Sequence, residues 1–216
     1  KVFSGHKPVY RVTTRTGREI RPTAAHRFYT EDGWKRLSEL AVKDMVATPR
    51  QYQFQKSPVV DNDVAKFLGY IIGDGHLSKE ANYIGFTNAD EAILRDYKRI
   101  LKRMGFKIGH TSTRGKATVV YGRIDYGNGY GWGKQHTKKI LDKLQVERVG
   151  GDQKVIPSWV FNESDEFIGN LIGAYFDCDG SIEIIDRNGK RGCKGQVNIE
   201  YVSVNKALLS QVQALL

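Results

Sequence analysis

The sequence predicts an α+β fold in which a short β-rich stretch precedes two related helix-and-strand repeats. Three observations carry this expectation. Residues 1–50 hold short alternating runs separated by turn signals. Two nine-residue segments, Phe67–Gly75 (FLGYIIGDG) and Ile172–Gly180 (IGAYFDCDG), are small or apolar almost throughout and both end in Asp-Gly. Strand-like runs and an amphipathic helix follow each of them.

The elements follow in order. Val9–Thr14 alternates and ends in the turn Arg15-Thr16-Gly17, so Glu19–Thr23 can pair back on it. His26–Tyr29 and Met45–Ala47 are further short strands around GWKRLSEL. Residues 51–62 form a polar connection between a first domain, 1–50, and a second region. Asp61 or Asn62 caps a helix over Val64–Asp74, stopped by Gly75. Tyr83–Thr87 is a strand and Asp90–Met104 a helix. Lys107–Thr113 and Ala117–Tyr126 make a hairpin around Arg114-Gly115-Lys116. The glycine run Tyr126–Lys134 is a loop: Gln135 follows Gly133-Lys134 where a phosphate-binding loop needs Ser or Thr. Lys134–Leu144 is helical, Pro157 opens a short helix, and Asp165–Asp179 forms another, stopped by Gly180. Strands at Ser181–Ile185 and Gln196–Ser203 precede a final helix from Lys206. The repeats thus divide into 63–150 and an incomplete 151–216.

Composition narrows the function. The 216 residues are 40% hydrophobic and 27% charged, as expected of a globular protein with a core, and carry a formal charge of +10. Only two cysteines, Cys178 and Cys193, argue against a disulfide scaffold, and neither they nor the five histidines have zinc-ligand spacing. The longest apolar stretches are too short for a membrane span, and no signal segment opens the chain, whose first residue is Lys. The expectation is an intracellular piece of something longer. The charge is concentrated: residues 95–148 hold 14 basic and 4 acidic side chains, and the rest of the chain balances. Such a field suits a polyanion, although the helix RDYKRILKR can equally point its bases at water.

The two Asp-Gly segments carry the chemistry. Each has small residues one helical turn apart, Gly69 and Gly73 in the first and Ala174 and Cys178 in the second. Small residues at that spacing let two helix backbones approach closely, which would bring Asp74 and Asp179 together at the helix C-termini. Two carboxylates at the negative ends of two helix dipoles repel. A divalent cation between them removes the objection, with the helix-end carbonyls of Gly73 and Cys178 as further oxygen donors. All-oxygen ligation suits Mg²⁺.

These segments resemble the paired motifs of the LAGLIDADG homing endonucleases (DOD type) in their two-repeat, single-chain form. The resemblance implies αββαββα repeats whose strands form saddles in the DNA major groove. It also implies Mg²⁺ bound by the motif-final Asp74 and Asp179. Lys154-Val155-Ile156-Pro157 matches a family Lys-x-Ile-Pro segment and makes Lys154 a third catalytic candidate. Ile72 departs from the motif where an earlier, non-catalytic Asp is usual; Asp177 keeps it. Only 37 residues follow Asp179, so the last strand pair and helix of the second repeat are expected to be missing. Thr16–Leu40 (TGREIRPTAAHRFYTEDGWKRLSEL) resembles the N-terminal splicing block of inteins, the Hint domain, especially inteins inserted in bacterial replicative DNA helicases. There Thr23 and His26 of Thr-x-x-His would assist the acyl shift of protein splicing.

The resulting expectation is an internal intein fragment. It would pair part of a splicing domain with a Mg²⁺-dependent endonuclease that cuts both strands of a long, specific duplex site. Its partners would be double-stranded DNA and the host exteins of a replicative helicase, in the bacterial cytoplasm at the nucleoid and away from membranes. Period-two reading puts Tyr83 and Thr87 on a DNA-facing side, opposite Ile84 and Phe86. Val119, Tyr121, Arg123 and Asp125 share another such face, as do Gln196, Asn198 and Glu200 opposite Val197, Ile199 and Tyr201. Arg114 and Lys116 at the hairpin tip complete the DNA-binding set. The rival expectations are a LAGLIDADG nucleic-acid-binding module without cleavage and a splicing element with a vestigial endonuclease.

Overall fold

The computed structural model describes residues 5–49, 60–77, 83–123, 132–185 and 196–216. Most of the expected connection 51–62, Asp125, and the glycine run as far as residue 131 lie outside these. The chain divides into two units, Lys1–Gln53 and Phe54–Leu216.

Two short hairpins build the first unit. β1 (Val12–Thr13) pairs antiparallel with β2 (Glu19–Ile20), and β3 (Arg27–Thr30) with β4 (Gly33–Arg36). Gly17 and Gly33 take φ of +82° and +98° in the turns, where a side chain would strain the backbone. Single bridges Val9–Thr23 and Thr30–Val46 extend the pairings. The expected strand at Met45–Ala47 therefore shrinks to one bridge, and GWKR, read as a connection, is a strand. Tyr29 and Trp34 remain 53% and 67% exposed, their rings 5.3 Å apart.

The second unit opens with α1 (Asn62–Ile72), whose N-cap Asp61 accepts from the Asp63 N–H at 2.8 Å. Asp90 caps α2 (Glu91–Arg103). Four antiparallel strands lie in the order β5 (Gly75–Leu77), β6 (Ile84–Asn88), β8 (Ala117–Arg123), β7 (Lys107–Arg114). α3 (Trp132–Lys143) closes the first repeat. A 3-10 turn at Ser158–Asn162 leads into α4 (Asp165–Asp179), followed by β9 (Gly180–Ile185), β10 (Gln196–Tyr201) and α5 (Lys206–Leu215). Alternation decides the core. Ile84, Phe86 and Val120 are fully buried on the helix side of the sheet, where Phe86 stacks on Tyr97 of α2 at 4.4 Å.

The two repeats share a register. Gly75 pairs with Phe86 and Leu77 with Ile84; Gly180 pairs with Tyr201 and Ile182 with Ile199. They then diverge. β8 adds to β6 in the first repeat, whereas β10 pairs only with β9 among the described residues. As a result Ile182, Ile184, Val197 and Ile199 are 47–72% exposed, while Ile84 is fully buried. Val197 and Ile199 thus lie opposite Asn198 and Glu200 as the alternation requires, but on an uncovered face.

Candidate active site

α1 and α4 pack along each other at van der Waals distance, and glycine makes this possible. A Cβ on Gly69 would collide with the Leu171 carbonyl and sit 2.8 Å from the Ala174 Cβ. A Cβ on Gly73 would sit 2.5 Å from the Cys178 Cβ. The small-residue reading of both motifs is thereby met residue by residue. Gly169 and Gly173 of α4, by contrast, face open space.

This contact brings the two helix C-termini together with Asp74 and Asp179. Burial holds both carboxyls above their ordinary values, and the Asp74 charge pushes Asp179 further in that direction. Lys154 pulls both back. Asp74 is the better held: its Oδ2 accepts from Asn88 Nδ2 at 2.7 Å, and the Cys178 thiol also bonds to it. Burial pushes that thiol up to about 12, so Cys178 is an uncharged spacer. Lys154 Nζ donates to three carbonyls, Ile72 O at 3.0 Å, Gly73 O at 2.9 Å and Gly75 O at 2.7 Å. The ammonium therefore neutralises the negative end of α1, and the Gly73 carbonyl considered as a metal donor already carries a lysine proton. Burial lowers the Lys154 value against the opposing pull of Asp179 and Asp74.

The donor set fits a hard cation. Two carboxylates crowd together at a cost that a divalent ion would cancel, while among the described residues no group of three or more His, Cys, Asp or Glu is placed to hold a metal ion by side chains alone.

The outer side of the sheet carries the candidate nucleic-acid contacts. His76 of β5, Tyr83 and Tyr121 of β8 form an edge-to-face trio, with ring centroids 5.3–6.4 Å apart. The His76 ring covers its cross-strand partner Gly85, leaving no room there for a Cβ. Arg123 is exposed at the end of β8, and Thr87 is half-buried on β6. Arg114 and Lys116 are exposed at the hairpin tip, where Gly115 takes φ +60°. In the second repeat Asn198 is half-buried and Glu200 exposed, with Gln196 beginning the same strand.

The basic helix behaves differently from the hairpin. Arg99 bonds Asp63 at 3.0 Å and Asp96 at 2.8 Å; Arg103 reaches Asp63 at 2.7 Å; Lys66 reaches Asp96 at 3.2 Å. These charges tie α2 to α1, so part of the concentrated basic field is structural. In the first unit, the His26 N–H donates to the Thr23 carbonyl at 3.0 Å, and the exposed His26 ring meets Phe28 edge-on at 5.2 Å.

Sequence reasoning passed over His76, Asn88, Asn205 and Gln211. Asn88 had a signal: it ends the buried stripe Ile84–Phe86–Asn88, where a polar side chain needs a partner. His76 lies on a three-residue strand too short for alternation to reveal.

The family profile described as LAGLIDADG-like domain matches residues 61–152 and 166–216. The chain belongs to this LAGLIDADG family. Over 215 residues it is 30% identical to the replicative DNA helicase DnaB of Rhodothermus marinus, covering 99% of this chain and 22% of that one. It is 29% identical over 180 residues to the replication factor C small subunit of Methanocaldococcus jannaschii, covering 80% of this chain and 9% of that one. It is also 29% identical over 202 residues to the protein RecA of Mycobacterium tuberculosis, covering 90% of this chain and 23% of that one. The chain thus spans less than a quarter of each of these relatives. Among the described residues no helix is long and apolar enough to cross a membrane.

Proposed function

We propose that the second unit is a site-specific DNA endonuclease of the homing type, and that the first unit is part of an intein splicing domain. The observation that carries the nuclease reading is the juxtaposition of Asp74 and Asp179 at the ends of two glycine-packed helices, with Lys154 beside them. Asp74 and Asp179 would hold Mg²⁺, which would supply an acidified water and counter-charge for the leaving oxygen. Asn88 orients Asp74, and Lys154 fixes the end of α1 while adding positive charge next to the scissile phosphate. Arg114 and Lys116 hold phosphates, and Arg123, Tyr121, Tyr83, Thr87, Asn198, Glu200 and Gln196 face the bases.

Support for the intein half comes from the differently named relatives. Segments covering 80–99% of this chain recur in a DnaB helicase, a RecA and a replication factor C subunit. That distribution is what an insert independent of its host's function produces. The Thr23–His26 turn is the corresponding splicing candidate, and the host of this chain is best sought among replicative helicases.

The test is incubation of the chain with plasmids carrying uninterrupted helicase, RecA and replication factor C genes, with Mg²⁺ or with EDTA. Site-specific nicking or linearisation in Mg²⁺ alone, lost in Asp179→Asn, supports the reading. Specific binding without cutting by the unaltered chain assigns it instead to a binding module on the same scaffold.

A further inference from the structure

Lys154 sits in an irregular segment between a 3-10 turn at Gly151–Gln153 and Pro157, with extended backbone (φ −61°, ψ 141°). Nothing in that segment's own secondary structure fixes where its side chain points. The fixing comes from α5. Asn205 Nδ2 donates to the Lys154 carbonyl at 2.6 Å. The Gln211 side chain grips Ile156 at both backbone groups, Oε1 accepting from its N–H and Nε2 donating to its carbonyl, each at 2.8 Å. Ile156 itself is 1% exposed and Asn205 5%. Asn205 also caps α5, its Oδ1 accepting from the Leu208 N–H at 3.1 Å, and Leu208 and Val212 seat the helix in the core.

We infer that Asn205 and Gln211 are positioning residues for Lys154: α5 of the second repeat clamps the Lys154–Ile156 backbone and so aims the ammonium at the carbonyl end of α1 in the first. The three carbonyls at 2.7–3.0 Å take up all three ammonium protons, so the side chain has one well-defined position when its backbone is held. Its consequence for cleavage rests on the nuclease reading above; the clamp itself does not. An amide at either end of the grip is chemically required, because the segment presents both donors and acceptors and a purely apolar contact would leave them unpaired in a buried place.

The experiment is NMR of the lysine ammonium groups in the ¹⁵N-labelled chain at pH 6, with the Lys154 signal assigned through Lys154→Arg. An ammonium tied to three carbonyls exchanges slowly with water and gives a resolved Lys154 resonance. Gln211→Met removes both hydrogen bonds at similar volume. Asn205→Ser keeps a capping oxygen but cannot span to the Lys154 carbonyl. Either variant, with helix content unchanged by circular dichroism, is expected to lose the Lys154 resonance to fast exchange. An unchanged resonance in a folded variant, or no protected Lys154 resonance in the unaltered chain, overturns the clamp. If the chain cuts DNA, the same variants should cut about tenfold more slowly at unchanged DNA affinity; an equal loss of affinity would make the role merely structural. A chain that never cuts, yet loses the Lys154 signal on substitution, keeps the clamp and discards the nuclease.

Discussion

Asn88 Nδ2 lies 2.7 Å from Asp74 Oδ2, whereas no described side chain hydrogen-bonds Asp179. The paired carboxylates are therefore unequal, although the helices and strands that carry them share a register. Counting back from the helix caps Asp90 and Asn205, Ser203 stands in the second repeat where Asn88 stands in the first. Removing the Asn88 amide leaves Asp74 held by the Cys178 thiol alone and raises its carboxyl further. Asn88→Ala is expected to slow single-turnover cutting by about tenfold, with DNA affinity unchanged. Gel-resolved strand cleavage checks this; unaltered rates would show that Asp74 needs no partner.

Asp179 gives a prediction of opposite sign for stability and activity. Burial, then the Asp74 charge, hold its carboxyl above the ordinary value. The folded chain thus binds a proton more readily than the unfolded one, and stability falls as pH rises through that interval. At pH 7 without metal, Asp179→Asn should raise Tm by roughly 2 °C. The gain should vanish below the ordinary carboxylate range, where both states are protonated. Calorimetry at two pH values checks the sign, and the same variant should not cut DNA.

Most of the fold was legible because its periodicities are strong. The caps Asp61 and Asp90, the alternation through Ile84 and Phe86, and the small residues facing one another between α1 and α4 all follow from local rules. β4 and β5 were not legible: GWKR opens on a glycine and ends in two cations, and GHL is too short to show alternation. Lys154 was legible as a candidate but its anchoring was not: Asn205 and Gln211 lie 51 and 55 residues from the groups they bind. The basic helix misled for a related reason. Net charge along a segment does not record that Asp61 and Asp63, at the start of α1, stand across from it in space.

The glycines of the two motif helices should respond oppositely to the same change. Gly69→Ala places a methyl against the Leu171 backbone and Ala174, which cannot move aside singly. Overpacking should outweigh the gain in helix propensity and cost about 1–3 kcal/mol. Gly173→Ala meets open space within α4 and should stabilise by up to about 1 kcal/mol. Urea midpoints of the two variants settle this, and a gain in Gly69→Ala matching that of Gly173→Ala would refute the close α1–α4 contact.

Asp63 is 7% exposed and faces Arg99 and Arg103, both of which keep contact with water. Asp63→Asn should cost about 1–2 kcal/mol and leave DNA affinity unchanged, because these arginines serve the α1–α2 contact. Asp96 adds an acid limit. Burial pushes its carboxyl up, but the hydrogen bonds from Arg99, Lys66 and Tyr70 outweigh this and hold it below the ordinary value. A carboxyl lowered in the folded state contributes stability above the ordinary value and loses it as pH falls through the folded one. Acid unfolding should therefore begin at higher pH in Asp96→Asn, followed by fluorescence.

The hairpin tip gives the cleanest separation of phosphate contact from structural charge. Arg114 and Lys116 are exposed, flank the positive-φ Gly115, and have no ion pair among the described residues, unlike Arg99 and Arg103 on α2. If each neutralises one phosphate, binding releases one counterion per residue. The double variant Arg114→Gln, Lys116→Gln should then make the slope of log K against log salt shallower by about 1.8, at about 0.9 per phosphate. The loss should be nearly equal for specific and unrelated duplexes, since phosphates carry no base sequence. Arg99→Gln should leave the slope unchanged while lowering stability. Fluorescence anisotropy titrations over a salt series measure both effects. An unchanged slope in the hairpin variant would move the nucleic-acid interface away from the outer side of the four-stranded sheet.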